Sequence, residues 1–187
     1  DPRRAQESPG EPRRAQESVG EPRRGQWYSS NTETMVVHTS GTTGKPKRIE
    51  LSRQAILNSA QLSVDYFKLK EQSKILLCLP LDKIGGIMLA LRAFVANAEI
   101  LPVDPKKNPF DGLEEHLSFD FASMVPNQLA NSEENWSKVK TILIGGGPLS
   151  AELQSKLTNA SKEFAVYQSY ASTETISHVA LRSLHPK

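Results

Sequence analysis

Apolar and polar positions follow two different periods along the chain, which predicts strands and helices in turn. Short apolar or β-branched runs predict seven strands, at 35–39, 48–51, 74–79, 99–103, 119–125, 140–144 and 164–168. The predicted helices are 53–67, 84–97, 112–117 and 151–159, and the segment 127–138 is helical or irregular. Ser52 and Ser150 precede two of these helices as N-caps. The alternation predicts an α/β fold, a layered, mostly parallel sheet with helices on both faces.

Composition limits the class of protein more than charge does. The 187 residues include 23 basic and 21 acidic side chains and are 37% hydrophobic, which fits one α/β unit or part of a larger protein. The single cysteine, Cys78, lies in an apolar run and is predicted to be a buried thiol, so a disulfide framework is excluded. The longest apolar stretch, 84–96, contains Arg92 and is too short to span a bilayer. A cytoplasmic location is the default expectation.

Residues 1–26 repeat a decamer built on Pro-Arg-Arg. It offers almost nothing to bury, so we expect a disordered tail before a folded part at 27–187. Six arginines against five acidic residues leave one net positive charge, so nucleic-acid binding and a transit peptide are both weakly supported. A translated repeat or a sequence artefact accounts for the tail at least as well. Since the chain runs from Asp1 to Lys187 without a natural start or stop, we expect a fragment.

The segment 38–47 concentrates hydroxyl groups, glycines and ammonium groups. Gly41 and Gly44 can adopt positive φ, so successive backbone N–H groups can turn inward around an anion. Further donors are the hydroxyls of Ser40, Thr42 and Thr43 and the ammonium groups of Lys45 and Lys47. The spacing excludes a Walker A loop, and Pro46 predicts that the chain returns as a strand. The strand 35–39 is expected to deliver this phosphate cradle at the edge where open α/β sheets bind ligands; a polar hairpin loop that binds nothing is the alternative.

Two more loops follow predicted strands. Gly145, Gly146 and Gly147 lie between a strand and a helix, where the backbone could lie flat against a ring, although ordinary turns of this kind also use glycine. Residues 170–175, Tyr-Ala-Ser-Thr-Glu-Thr, place a carboxylate beside hydroxyl groups. Hard oxygen ligands of this kind suit a Mg²⁺–phosphate site. A solvated surface threonine and glutamate is the alternative.

These three loops resemble, in order, motifs of the acyl-adenylate-forming superfamily, which includes acyl-CoA synthetases, nonribosomal-peptide adenylation domains and luciferases. The segment 39–47 resembles its glycine-rich loop, the triple glycine its adenine loop, and 170–174 its Tyr-Gly-X-Thr-Glu motif. The resemblance implies ATP and Mg²⁺ binding, with Thr173 at phosphate, Glu174 as metal ligand and Lys45, Thr173 and Glu174 as the catalytic residues. The implied nucleotide contacts are Thr39, Ser40, Gly41, Thr42, Thr43, Gly44, Lys45, Lys47, Gly145, Gly146, Gly147, Pro148, Tyr170, Ala171, Ser172 and Thr173. Ala171 replaces the motif's glycine and is expected to weaken the site if that position needs positive φ.

The resemblance also bears on the acid that such an enzyme would activate. Many acyl-CoA synthetases carry a histidine near the acyl pocket where this chain has Asp82 or Lys83, which argues against assuming a fatty acid. Residues 125–129 and 173–182 look more like the o-succinylbenzoate-CoA ligases of menaquinone synthesis. Ser177 and His178 are candidate contacts to the acyl substrate, and His178 is equally explained as a neutral packed histidine.

The resemblance implies a ligase with two half-reactions, formation of an acyl-adenylate from ATP and a carboxylic acid, then transfer to coenzyme A. It places residues 27–187 in the large N-terminal domain, without its C-terminal part and the small domain. The family's Thr-Gly-Asp motif and C-terminal lysine are absent from the sequence, so we expect little ligase activity from the 187 residues alone. The alternatives are another acyl- or aryl-CoA synthetase, an adenylation domain, or a non-catalytic module that binds nucleic acid. No membrane partner is expected, and a homo-oligomer remains open.

Overall fold

The computed structural model describes residues 33–39 and 47–184, which belong to one compact unit beginning at Glu33. The predicted disordered repeat lies outside the described residues. So does most of the predicted phosphate cradle, namely Ser40, Gly41, Thr42, Thr43, Gly44, Lys45 and Pro46. The described part of the cradle consists of its two ends.

The first two strands form a hairpin of their own. β1 (Thr34–Thr39) and β2 (Lys47–Ser52) make a two-stranded antiparallel sheet in which Thr39 pairs with Lys47. The prediction that the chain returns as a strand after the cradle is therefore confirmed. The predicted strand before the cradle is also confirmed by β1, but its expected place in the open α/β sheet is wrong, because β1 pairs with β2 alone among the described strands. The apolar side of the hairpin packs on the first two helices through Val37 and Ile49.

The remaining strands form one six-stranded sheet. They are β3 (Lys74–Leu77), β4 (Glu99–Pro102), β5 (Phe119–Met124), β6 (Val139–Ile144), β7 (Ala165–Ala171) and β8 (His178–Ser183). The order is β4-β3-β5-β6-β7-β8, and all neighbours are parallel except the antiparallel pair β7 and β8. The predicted mostly parallel sheet is thus confirmed. β8 was not predicted, because an edge strand with few buried side chains has little apolar signal; Leu181 packs on the core, while Val179 is 61% exposed.

Four α-helices and one 3₁₀ helix are present in the described part of the chain. They are α1 (Arg53–Phe67), α2 (Ile84–Val95), α3 (Pro126–Ala130), the 3₁₀ helix Glu133–Lys138 and α4 (Ala151–Ala160). The predicted N-caps are confirmed, since Ser52 Oγ accepts a hydrogen bond from the amide of Ala55 at 3.4 Å and Ser150 Oγ from that of Leu153 at 3.1 Å. The helix predicted at 112–117 is wrong. These residues form turns, and Gly112 has a φ of +85°, which an α-helix does not allow.

The sheet carries a separate apolar core on each face. On one face Phe121 and Leu143 pack with α1 and α2, through Val64 and Leu89. On the other face the cluster includes Leu129, Trp136, Ile142, Leu157 and Val166, which joins α3, the 3₁₀ helix and α4 to the sheet. Helices on both faces are therefore confirmed. No helix among the described residues has both the length and the apolar character to cross a membrane.

Candidate functional site

Two of the predicted loops lie side by side at the carboxyl edge of the sheet. The glycines 145–147 directly follow β6, and the loop 172–177 directly follows β7, its parallel neighbour. Ser169 Oγ donates a hydrogen bond to the carbonyl of Ile144 at 2.7 Å, and a Cβ atom on Gly145 would lie 3.7 Å from the same hydroxyl. Gly146 has a φ of +77°, a conformation that favours glycine. Gly146, Gly147 and Pro148 are exposed, so this edge is open to a ligand.

The loop 172–177 is closed on itself by the side chain of Thr175. Its Oγ1 accepts a hydrogen bond from the amide of Ser172 at 3.0 Å and lies 2.8 Å from the carbonyl oxygen of Ser177. The amide of Ile176 donates to the carbonyl of Thr173 at 3.0 Å. Thr175 was not among the predicted site residues. The signal that could have revealed it is the Ser-x-x-Thr spacing, because short hydroxyl side chains bond to nearby backbone in turns.

The backbone of this loop departs from the expectation for Ala171. Ala171 is the last residue of β7 and is not among the described residues with positive φ. Alanine at this position is therefore not strained, because its backbone is not in the left-handed conformation. The positive φ falls instead on Ile176, at +67°, where a β-branched side chain is strained. Of the other predicted contacts in this region, Tyr170 is 76% exposed, Ser172 is exposed and Thr173 is half-buried.

An ion pair joins the end of the predicted phosphate cradle to the predicted metal ligand. Lys47 Nζ lies 3.0 Å from Glu174 Oε1, across 127 residues of sequence. Thr39 pairs with Lys47 across the hairpin, so the two described ends of the cradle lie side by side. The two side chains are 63% and 52% exposed, and exposed pairs of this kind contribute little to stability. An incoming anion or cation could therefore separate them at little cost.

Glu174 has the chemistry of a Mg²⁺ ligand that acts together with phosphate. A hydrogen bond from its own backbone amide and then the contact with Lys47 hold the pKa of its carboxyl below the usual range, so the group is ionised at neutral pH. No cluster of three or more acidic, histidine or cysteine side chains suited to a metal occurs within 33–39 and 47–184. Mg²⁺ commonly uses one or two carboxylates together with substrate phosphates, and a lone carboxylate at an open edge fits that mode.

A buried arginine lies on the side of the sheet that α1 and α2 cover. Arg92 of α2 is 3% exposed, and its Nη2 donates a hydrogen bond to Ser177 Oγ at 2.7 Å. Burial lowers the pKa of the guanidinium to about 10, so it remains charged at neutral pH. Its Nε has no acceptor, and no ion pair among the described residues includes it. A buried charge without a counter-charge is unfavourable for folding, which points to an anionic ligand at Arg92.

Aromatic side chains and a second unpartnered hydroxyl lie on the same face as Arg92. Phe67 packs at 4.9 Å from Phe121 and at 5.4 Å from Tyr167, measured between ring centroids. Ser123 shares the Phe121 face of β5, since side chains two apart on a strand point the same way. Its Oγ is buried without a hydrogen-bond partner in the described structure. Aromatic rings, a buried cation and a hydroxyl without a partner are chemically complementary to an aryl group that carries a carboxylate.

His178 is next to Arg92 and is kept neutral. Its Nδ1 lies 3.2 Å from Ser177 Oγ, and its ring lies 6.2 Å from that of Phe67. Burial, and secondarily the charge of Arg92, lower its pKa to about 4. The arrangement brings the two predicted substrate residues, Ser177 and His178, together beside Arg92. Sequence reasoning had noted Arg92 only as a charge within an apolar stretch; its signal is a single arginine in an otherwise apolar helix.

We expect His178 to titrate near pH 4 in the folded protein. A histidine whose pKa is lower when folded than when unfolded favours the unfolded state on protonation. The free energy of unfolding should therefore be fully retained above about pH 6.5 and fall as the pH decreases towards 4. The loss will be less than the pKa difference implies, because His178 is only half-buried and solvent screens its charge. NMR titration of the ring measures the midpoint, and His178→Gln should flatten the pH dependence; a midpoint near 6.5 would contradict this assignment.

The fold and this edge define a class of protein, an α/β protein with glycine- and hydroxyl-rich loops at the carboxyl ends of parallel strands. The AMP-binding enzyme family matches residues 1–187. A 2-succinylbenzoate–CoA ligase of Bacillus pumilus is 30% identical over 159 residues, which cover 81% of this chain and 32% of that protein. The chain therefore belongs to the AMP-binding enzyme family, and it spans about a third of the length of that relative.

Solved structures agree with this assignment. An acyl-CoA synthetase (AMP-forming)/AMP-acid ligase II-like protein of Dyadobacter fermentans superposes with a TM-score of 0.75 at 34% identity, covering 83% of this chain and 45% of that one. The o-succinylbenzoate coenzyme A synthetase of Bacillus subtilis in complex with ATP and magnesium ion gives a TM-score of 0.68 at 28% identity, covering 80% and 32%. The described sheet and helices match the N-terminal domain of adenylate-forming enzymes.

Proposed function

We propose that this chain is part of an ATP-dependent acid–CoA ligase, and that its acid is o-succinylbenzoate. The observation that carries the proposal is the contact between Lys47 and Glu174, at 3.0 Å. This contact joins the segments 38–47 and 170–175, which are far apart in sequence. Both segments must lie close together if they bind the same nucleotide. Residues 27–187 would then form part of the large N-terminal domain of a longer enzyme, and 1–26 would be an appended tail.

The nucleotide would lie along the carboxyl edge of β6 and β7. The glycine segment 145–147 is suited to the adenine ring, because no side chain would separate its backbone from the ring and Gly146 and Gly147 are exposed. Lys47 would leave Glu174 and bind phosphate oxygens instead. Thr173 would bind the same phosphate group, and Glu174 would bind its Mg²⁺. Mg²⁺, when bound, would neutralise charge on the leaving pyrophosphate. The cradle residues Ser40–Lys45, including the predicted catalytic Lys45, keep their predicted roles as part of this proposal.

The acid would bind on the α2 face of the sheet. Its aryl ring would contact the aromatic group formed by Phe67, Phe121 and Tyr167, and one carboxylate would pair with Arg92, whose Nε lacks an acceptor. o-Succinylbenzoate has an aromatic ring and two carboxylates, so one can bind Arg92 while the other reacts. A fatty acid has only its reacting carboxylate and would leave Arg92 unpaired. The buried arginine therefore favours an aromatic diacid over a simple acyl chain.

The reaction would need no nucleophile from the protein. The carboxylate oxygen attacks the α-phosphorus of ATP, pyrophosphate leaves, and the thiol of coenzyme A then displaces AMP from the acyl-adenylate. The chain's contribution is to hold two anions in contact and to orient N–H groups and ammonium groups at the developing charge. Correct positioning of two reactants can lower the activation barrier by about 7–11 kcal/mol. Oriented hydrogen-bond donors lower it further. Coenzyme A would be a substrate in this scheme.

ATP–pyrophosphate exchange tests both the activity and the acid. We expect the full-length protein that carries this sequence to exchange pyrophosphate at least tenfold faster with o-succinylbenzoate than with benzoate, a fatty acid or no acid. The reason is that only the diacid can bind Arg92 with one carboxylate while the other carboxylate reacts. We expect the 187 residues alone to show little exchange, since the Thr-Gly-Asp motif and the C-terminal lysine are not in this sequence. Robust exchange by the 187 residues would contradict the second expectation. Preference for a monocarboxylic acid would assign a different acyl- or aryl-CoA synthetase, as the similarity to the Dyadobacter protein allows.

A further inference from the structure

Ser177 touches two parts of the site that the proposed reaction uses for different substrates. Its side-chain oxygen accepts the hydrogen bond from Arg92 Nη2 at 2.7 Å. Its backbone carbonyl lies 2.8 Å from Thr175 Oγ1, and its amide donates to the carbonyl of Thr175 at 2.7 Å. Ser177 is 6% exposed, whereas Glu174 three residues earlier has a half-exposed side chain. The buried residue therefore connects an exposed loop to a buried helix.

The contact with Thr175 continues to the start of the loop. Thr175 has one hydroxyl proton, and the carbonyls of Ser172 and Ser177, at 3.0 and 2.8 Å, compete for it. Its oxygen also accepts the amide hydrogen of Ser172 at 3.0 Å. If Ser177 is displaced, the hydroxyl of Thr175 therefore donates to the carbonyl of Ser172 at the start of the loop and no longer to that of Ser177 at its end. Thr173 and Glu174 lie between these ends and move with them.

Two further features make the loop depend on this anchor. Arg92 belongs to α2 and is buried, so its guanidinium is a fixed point to which Ser177 is attached. Ile176 is held at a φ of +67°, and a strained conformation of this kind persists only while contacts on either side maintain it. Without the hydrogen bond from Arg92, the backbone at Ile176 can relax. Relaxation would displace the carboxylate of Glu174 from the position that faces Lys47.

We infer that Ser177 is a positioning residue through which Arg92, at the acid subsite, fixes the loop that presents Thr173 and Glu174 to the nucleotide. The inference rests on the proposed function for the identity of the two ligands. According to this inference, Ser177 affects nucleotide binding, although the side chain of Ser177 lies at the proposed acid subsite. A residue that merely contacts the acid would have no such effect when the acid is absent.

The test is the dissociation constant of Mg·ATP for the full-length protein, measured by calorimetry without any acid. We expect Ser177→Ala to weaken Mg·ATP binding about fivefold, the effect of losing one hydrogen bond that positions a ligand group. Ser132→Ala is the matched control, because Ser132 is a buried serine outside the proposed site whose hydroxyl donates a hydrogen bond to the carbonyl of Gln128 at 2.8 Å. Its affinity for Mg·ATP should stay within about twofold of the unmodified protein. Ser177→Thr retains the hydroxyl and should restore most of the affinity.

The possible outcomes separate this inference from the proposed function. If the unmodified protein binds Mg·ATP and Ser177→Ala binds it equally well, the positioning role is wrong and the proposed function stands. If the unmodified protein does not bind Mg·ATP, the proposed function fails, and the inference fails with it. Should Ser177→Ala melt below the assay temperature, Ser177→Cys keeps the shape of the side chain with a weaker acceptor and should show the same loss. An equal loss in Ser132→Ala would also overturn the inference.

Discussion

Glu174→Gln is expected to slow ATP–pyrophosphate exchange by the full-length protein about 100- to 1,000-fold, the range found when one stabilising group is removed from a developing charge. Glutamine keeps the size of the side chain and one carbonyl oxygen, but it carries no negative charge for Mg²⁺. The same substitution removes the partner of Lys47. That pair is more than half exposed, so the free energy of unfolding should change little. Activity and stability are therefore expected to separate, which exchange rates and thermal unfolding measure on the same sample.

The matched control for this substitution lies at the other end of β7. Glu163 is an exposed glutamate just before the strand, as Glu174 is just after it. Glu163→Gln makes the same chemical change far from the carboxyl edge, and its exchange rate should stay within about twofold of the unmodified protein. Raising the Mg²⁺ concentration should recover part of the activity of Glu174→Gln and none for the control. An exchange rate within threefold of normal in Glu174→Gln would remove the metal role from this residue.

The parts of the fold that sequence could predict are those whose signals are local. α1 begins and ends where its apolar spacing and the N-cap Ser52 predicted. Both features are local, because they lie in the helix or directly next to it. β8 could not be predicted in this way. Its pairing with β7 forms across the sheet, and the strand presents few buried side chains of its own. The helix predicted at 112–117 was wrong for a different reason, since Gly112 adopts a local turn conformation that the residue pattern does not reveal.

The candidate site shows the same division between local and distant information. Residue order and the resemblance singled out Lys47, the three glycines and Glu174, and strand order explains why the last two loops share an edge. The contact between Lys47 and Glu174 depends on packing across 127 residues, which no local pattern contains. Arg92 was missed as a site residue because, in sequence, it is a single charge in an apolar helix. Its importance appears only once burial and the lack of a counter-charge are known.

Arg92→Met is expected to stabilise the protein and to impair binding of the acid at the same time. The guanidinium is 3% exposed with no ion-pair partner among the described residues. A buried charge without a counter-charge is unfavourable for folding, so an apolar side chain of similar volume should raise the free energy of unfolding. The substitution also removes a charge-assisted hydrogen bond to the acid, which contributes about 1.5–3 kcal/mol. The KM for o-succinylbenzoate should therefore rise about 10- to 150-fold while the melting temperature increases.

The control separates a ligand role from a general effect of removing positive charge. Arg182 is exposed and its Nη2 donates to Gln154 and Gln168, so Arg182→Met deletes a guanidinium without exposing or filling a buried site. It should leave both the KM and the melting temperature nearly unchanged. Because Arg92 also anchors Ser177, Arg92→Met should weaken Mg·ATP binding about fivefold, far less than its effect on the acid. If Arg92→Met instead lowers the melting temperature and leaves the KM of the acid unaltered, Arg92 is a structural residue, and the argument for a diacid substrate is lost.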